Sequence, residues 1–403
     1  MRSGTGLLSC DEAIRIVDES LAGARLPAEC VPVREALGRV LAQDQVSRLD
    51  LPPFDRSAMD GYATPEGDDG PEYRLVGTVG AGEVSAAPLA LGTAVKVMTG
   101  APVPWGTGRV VRVEDAQCDG RTVRVLRYAP ERYVAAQGED VRVGDGVLEA
   151  GTVLGPLDVA NLVSCGIAIV EVARRPRLAI ASTGDEIVDD PENLAPGRIM
   201  NANGPLLRAL AGYHGLDVVS ETTVPDRPED TIEALRSAVE AADIVAVSGG
   251  VSVGDFDYVP GAMADLGLVP RFAGVAIKPG KPVTYASGGR AAVFGLPGNP
   301  VGVYVTFHLF VLRAVARMVG SAPGLREVAL EMGPGYSRRD AERREFVPAR
   351  LGEMATVEPL EYHGSAHLMA LSRMDGLFVV PEGVAEVPAG SRVRFLPKVG
   401  SLA

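Results

Sequence analysis

Three short apolar runs organise the chain: Leu178–Ala181, Ile244–Val247 and Ala291–Phe294. Runs of this length, apolar at consecutive positions, fit strands buried on both faces of a parallel sheet. Each gives way to a polar or glycine-rich loop. The first is Ser182-Thr183-Gly184-Asp185-Glu186, and the second runs from Ser248-Gly249-Gly250 through Ser252 to Asp257 and Tyr258. The third is Gly295-Leu296-Pro297-Gly298-Asn299-Pro300. Helical periodicity follows. Asn201-Ala202-Asn203-Gly204-Pro205 caps a helix over Leu206–Gly212. Asp226 reads as the N-cap of a helix from Glu229 to Ala241, in which Ile232, Leu235 and Val239 share a face. Asn299 and Pro300 read as N-cap and first residue of a helix over Val301–Val319. Ligands of an open parallel sheet bind at the carboxyl ends of its strands, so these loops are the place to look for a site.

The flanking regions have other periods. Ser9-Cys10-Asp11-Glu12 forms a capping box for a helix reaching about Ala22, and Val33–Leu41 has amphipathic helical spacing. Leu51 to Ala63 is a long non-periodic segment, of a kind that is often functional. Residues 72–147 alternate valine-rich runs with Gly and Pro turns: Tyr73–Val79, Ala94–Met98, Arg109–Val113 and Val123–Tyr128. Gly155–Gly166 is helical in pattern. From about Leu325 strands return at Phe346–Leu351, Leu377–Val380 and Ser391–Leu396.

Composition narrows the chemistry. The 403 residues are 46% hydrophobic and carry a net charge of −13, which argues against a nucleic-acid or anionic-membrane partner. An anionic substrate therefore needs local positive charge. Of 39 basic residues only Lys96, Lys278, Lys281 and Lys398 are lysine. A Lys278-Pro279-Gly280-Lys281 turn stands out against that background, because lysine is a compact point charge suited to an anionic oxygen. Cys10, Cys30, Cys118 and Cys165 have no metal-ligand spacing and fit buried thiols in a reduced, cytoplasmic compartment. His363 and His367 are separated by Gly364 and read as loop residues. Nothing in Met1–Ala24 reads as a signal peptide, and Phe294–Leu312 is broken by two prolines, so no membrane span is expected. No dinucleotide fingerprint, nucleophile elbow or P-loop is present. Gly274–Pro282 has five residues between glycines where a P-loop has four, and Pro282 where it has Ser or Thr.

The loop residues Ser248–Tyr258, Lys278–Pro282 and Gly295–Pro300 resemble the molybdopterin molybdenumtransferases, the family that includes the gephyrin E domain. So do Ser57-Ala58-Met59-Asp60-Gly61-Tyr62-Ala63, Met98–Pro104, Gly138-Glu139-Asp140 and Gly364-Ser365, and the likeness covers nearly the whole chain. The resemblance implies a multidomain α/β protein. Residues 1–48 and 148–175 would form a helical linking domain interrupted by an inserted β domain, 49–147. A doubly wound molybdopterin-binding domain, 176–324, and a small C-terminal β domain, 325–403, would follow.

The resemblance also implies an activity in molybdenum cofactor biosynthesis. Molybdenum from molybdate is inserted into adenylylated molybdopterin, with Mg²⁺-dependent cleavage of the pterin–AMP pyrophosphate and release of AMP. It assigns Asp60, Asp140, Glu186, Asp257, Lys278 and Lys281 to catalysis. Thr99, Ser248, Gly249, Gly250, Ser252, Asp226, Pro297, Gly298, Asn299, Pro300 and Ser365 fall to substrate binding. Glu186, Asp226 and Asp257 are the expected Mg²⁺ ligands. A homodimer with a shared cleft is implied, with other proteins of cofactor biosynthesis as partners. The chain departs from the family at Arg56, where Asn is usual, at Ala135, where Arg is common, and at Asn201-Ala202, where Asp-Ser is more frequent. Arg56 stands as the replacement for the positive group that Ala135 lacks. Two other readings stay open: a non-catalytic pterin-binding scaffold and a molybdopterin adenylyltransferase. The long N-terminal region and the Asp60 loop speak against the second.

Overall fold

A computed structural model describes residues 6–251, 258–289, 291–322, 327–361 and 368–398. Its centre is a six-stranded sheet in the order Asp217–Val224, Arg177–Thr183, Ile244–Ser248, Ala291–Leu296, Thr284–Gly288, Val269–Ala273. The first four strands are parallel and the last two antiparallel. The three apolar runs are thus parallel to one another as expected, and the two remaining strands make the sheet mixed. Thr284–Gly288 and Ala291–Leu296 are too close in sequence for a crossover and form a hairpin, with Gly289 at φ +58°. The reversal has a consequence for the site. Thr284 pairs with Gly295, so the lysine turn before Thr284 lies at the carboxyl edge of the parallel strands.

The sheet is buried on both faces. Leu178, Ile180, Ile244 and Ala246 face one core, which holds the helices Cys10–Ser20 and Asn203–Tyr213. The alternating Ala179, Ala181, Val245 and Val247 face the other, with Leu235 and Ala238 of Pro228–Ala241 and Met263 of Val259–Asp265. The helix expected from Pro300 does begin there, passes through a π-helical turn at Phe307–Val311, and ends at Val319 before Gly320 at φ +82°. Its 20 residues are apolar enough to cross a membrane, but 72% of its most apolar window is buried inside the protein. It is a core helix.

Ser9 caps the first helix, accepting from Glu12 N at 3.2 Å. Val33–Leu41 is not a helix. Only a 3₁₀ turn at Val33–Glu35 forms, Gly38 adopts φ +74°, and Val40 and Leu41 bridge to Val153 and Val172. Ala28–Pro32 pairs with Ile169–Ala173, and around this pair Leu41, Leu154, Leu162 and Val172 form a core of their own. Between these segments lies a six-stranded sheet ordered Thr107–Arg112, Gly61–Pro65, Thr93–Val97, Glu72–Val79, Thr122–Val125, Ala116–Cys118. A third sheet is built on Arg344–Leu351, Gly376–Val380, Arg392–Pro397 and Val328–Glu331. The cysteines are all unpaired, but Cys30 and Cys118 are exposed, not buried as expected.

Candidate functional site

The carboxyl ends of Arg177–Thr183 and Ile244–Ser248 open into a cavity of about 350 Å³. Its wall includes Thr183, Glu186, Asn203, Asp226, Ser248, Gly249, Gly250, Gly298 and Pro300. The loop after Ser248 turns on two left-handed glycines, Gly249 at φ +91° and Gly250 at φ +62°. A Cβ on Gly249 would lie 2.5 Å from the Thr183 carbonyl oxygen, and one on Gly250 would lie 2.8 Å from Thr183 Oγ1. Only glycine fits, and successive glycine amides in such turns form concavities for anions.

Asn203 ties two loops together. Its Nδ2 donates to Ser248 Oγ and to the Gly298 carbonyl, each at 2.7 Å. Ser248 is 1% exposed and Asn203 6%. Asn203 Oδ1 and Thr183 Oγ1 are buried without a hydrogen-bond partner among the described residues.

Asp226 is not the N-cap of the following helix. That position is Arg227, with no side-chain cap. Asp226 instead joins the neighbouring exit loop: Asp226 N donates to Asp185 Oδ1 at 3.1 Å, and Asp185 N to Asp226 Oδ2 at 3.4 Å. Glu186 is exposed at the cavity. Its carboxylate folds back over Gly184, where a Cβ would come within 2.5 Å of it. Asn201, also in the wall, donates from Nδ2 to Asp189 Oδ1 at 2.9 Å and accepts from Gly204 N at 3.0 Å. An amide suits this position because it can donate to Asp189.

The expected residues separate into groups. Glu186, Asp226, Ser248, Gly249, Gly250, Gly298 and Pro300 come together in this cavity. Pro297 and Asn299 adjoin it: the Pro297 carbonyl accepts from Ser248 Oγ at 3.5 Å, and Asn299 is the N-cap residue of the helix at Pro300. The lysines do not line it; only Pro282 of their turn does. Lys278 Nζ lies 2.7 Å from Glu345 of the third sheet, while Lys281 is exposed. Asp60, Thr99 and Asp140 lie between residues 49 and 147, away from the cavity wall. Asp60 and Thr99 are in contact, with Thr99 N and Oγ1 both donating to Asp60 Oδ1 at 2.7 Å. These two bonds hold the Asp60 carboxyl below the usual range. Asp140 is exposed. Arg56 and Ala135 are directly opposite each other in a two-residue ladder, so a guanidinium on either strand starts from the same place. Ser252, Asp257, Ser365 and the pair His363/His367 lie outside the described residues.

The sequence pattern does not mark Asn203, Asp189 or Glu345 as site residues, and it marks Asn201 only as a departure from the family. Asn203 had a signal, its place in the capping segment, but its partners lie 45 and 95 residues away.

Comparison with known proteins covers the chain in three pieces. The family model of the MoeA N-terminal region (domain I and II) matches residues 8–166. That of a probable molybdopterin binding domain matches 179–317, and that of the MoeA C-terminal region (domain IV) matches 336–398. A molybdopterin molybdenumtransferase of Staphylococcus aureus is 33% identical over 395 residues, 95% of this chain and 93% of its own. One from Staphylococcus epidermidis is 32% identical over 371 residues, 89% of this chain and 88% of its own. The crystal structure of the molybdopterin biosynthesis moeA protein from Pyrococcus horikoshii OT3 superposes with a TM-score of 0.84 at 31% identity, covering 97% of this chain and 100% of that one.

Proposed function

We propose a site and a reaction course from the premise that this chain belongs to the molybdopterin molybdenumtransferase family. It is a transferase of molybdenum cofactor biosynthesis that inserts molybdenum into molybdopterin. In our reading the substrate is adenylylated molybdopterin, whose pyrophosphate is cleaved with release of AMP as molybdate supplies the metal. The observation that carries this is the strand-end cavity, where left-handed Gly249 and Gly250 face the carboxylates Glu186 and Asp226. The glycine amides take phosphate oxygens. Ser248, locked by Asn203, keeps that loop in place.

Mg²⁺ fits this donor set. It is held by one or two carboxylates together with substrate phosphates and water, and needs no all-protein cage. Glu186 and Asp226, with Asp257, would hold the ion, which supplies charge neutralisation at the phosphates. One of these carboxylates orients the attacking water. Incubating the protein with adenylylated molybdopterin, Mg²⁺ and molybdate, and following AMP and metallated cofactor, tests the reading. Absence of both products would overturn it.

The Asp60–Thr99 pair and Asp140 do not line the cavity of their own chain. A two-fold partner would bring them to it, so the active species is a homodimer with a shared cleft. Fully active monomer in sedimentation at micromolar concentration would refute this. The four free cysteines support a cytoplasmic setting.

A further inference from the structure

The two lysines of the Lys-Pro-Gly-Lys turn sit in different electrostatic surroundings. Ile277–Lys278 leaves the central sheet and pairs in parallel with Arg344 and Glu345 of the third sheet. Lys278 Nζ lies 2.7 Å from Glu345 Oε1, and Arg338 Nη1 lies 3.4 Å from Oε2 on the other side. The Glu345 and Arg338 side chains are 4% and 3% exposed, whereas that of Lys278 is 40% exposed. Arg338 is further fixed by the carbonyls of Val384, Arg343 and Pro381. The buried carboxylate is therefore the immobile partner, and the lysine is the end that it holds. Among the described residues no carboxylate lies within ion-pair distance of Lys281.

The turn reaches the cavity by packing. A Cβ on Gly280 would lie 2.8 Å from Thr306 of the helix that starts at Pro300, and Pro282 is part of the cavity wall. A residue of the third sheet thus sets where the Lys278 ammonium stands relative to the strand-end loops.

We infer that Glu345 is a positioning residue: through Lys278 it couples the C-terminal sheet to the strand-end site and leaves Lys281 as the cation of the turn that has no carboxylate partner among the described residues. The inference rests on the reaction proposed above and on the family resemblance that assigns Lys278 to catalysis, which together put this ammonium to work on the substrate's phosphates. Glu345 does two things to Lys278. It fixes the ammonium, which helps the transition state, and it offsets part of its charge, which weakens ground-state attraction for an anion. Glu345→Gln keeps the shape and removes both effects.

Steady-state AMP release from adenylylated molybdopterin by the full chain is the test. Glu345→Gln should lower kcat by about tenfold and lower KM by about threefold. Loss of folded protein alone cannot lower KM. In a Lys278→Met background, Glu345→Gln should change neither parameter further. An unchanged or raised KM in Glu345→Gln, or equal effects in both backgrounds, would overturn the inference. Should Glu345→Gln fail to fold, Lys278→Met alone decides, since that side chain is partly exposed: unchanged kcat and KM would overturn it. Wild-type protein that releases no AMP would instead refute the proposed reaction, a distinct result.

Discussion

Replacing Asn203 by Ala removes the amide that joins the Ser248 loop to the Gly298 loop. Two hydrogen bonds are lost, each with a net value of about 1 kcal/mol. Their surroundings differ. Ser248 is 1% exposed and keeps only a 3.5 Å contact to the Pro297 carbonyl, so losing the donor to its hydroxyl costs about 1–3 kcal/mol. Gly298 is exposed, and its carbonyl can be hydrated. The sum is about 2–4 kcal/mol, a fall of roughly 5–15 °C in the melting of the central unit. Asn203→Asp distinguishes hydrogen bonding from packing. Aspartate keeps the volume, but a carboxylate oxygen would stand where Nδ2 now meets the Gly298 carbonyl at 2.7 Å. If the donors matter, Asp is at least as damaging as Ala. If volume matters, Asp is harmless. Calorimetric melting of both variants at pH 7 is the assay, and Asn203→Asp melting within about 1 °C of wild type would refute the reasoning.

Two other perturbations follow from charged contacts. Asp18 in the first helix is gripped by Arg313 and Arg317, with Nε of each within 2.8 Å of Oδ1. Burial pushes the Asp18 carboxyl up, but the two arginines outweigh it and hold the pKa at about 2. A folded-state pKa below the unfolded value of about 3.9 stabilises above that pH and loses its effect as pH falls toward 2. Asp18→Asn should therefore cost about 2 kcal/mol at pH 7, a gap that closes between about pH 4 and 2; denaturant unfolding across that range measures it, and a pH-independent gap would contradict it. Asn201→Asp should bring a second carboxylate against Asp189, now 2.9 Å from the amide. Its melting temperature should fall relative to wild type at pH 7 and recover as acid protonates one of the pair, whereas a pH-independent difference would contradict this.

Local signals in the sequence carried far. The Ser9 cap, Pro300 as first helical residue and the three buried runs all depend on contacts within a few residues, and all appear as expected. The amphipathic spacing of Val33–Leu41 misled because it fits a turn whose apolar residues are claimed by distant strands, Val40 by Val153 and Leu41 by Val172. Asp226 followed the same logic: its segment resembles a cap, yet its partner is Asp185, 41 residues away. The lysine turn was conspicuous by composition, but its electrostatics were not legible, since Glu345 lies in another sheet. Glycine loops and carboxylates of the site could be placed at strand ends by pattern and resemblance. What joins them, the Asn203 amide and the Asn201–Asp189 pair, is long-range side-chain pairing that no periodicity encodes.

The most direct test of the central claim is single-turnover AMP release by Glu186→Gln, which keeps the shape of the cavity mouth and removes one carboxylate charge. Wild-type protein with adenylylated molybdopterin, Mg²⁺ and molybdate should release AMP. The variant should bind substrate within a few-fold yet release AMP about a hundredfold more slowly, the usual scale for losing a key electrostatic group. Wild-type rates in Glu186→Gln and in the Glu186→Gln, Asp226→Asn double variant would contradict the assignment of the reaction to this cavity.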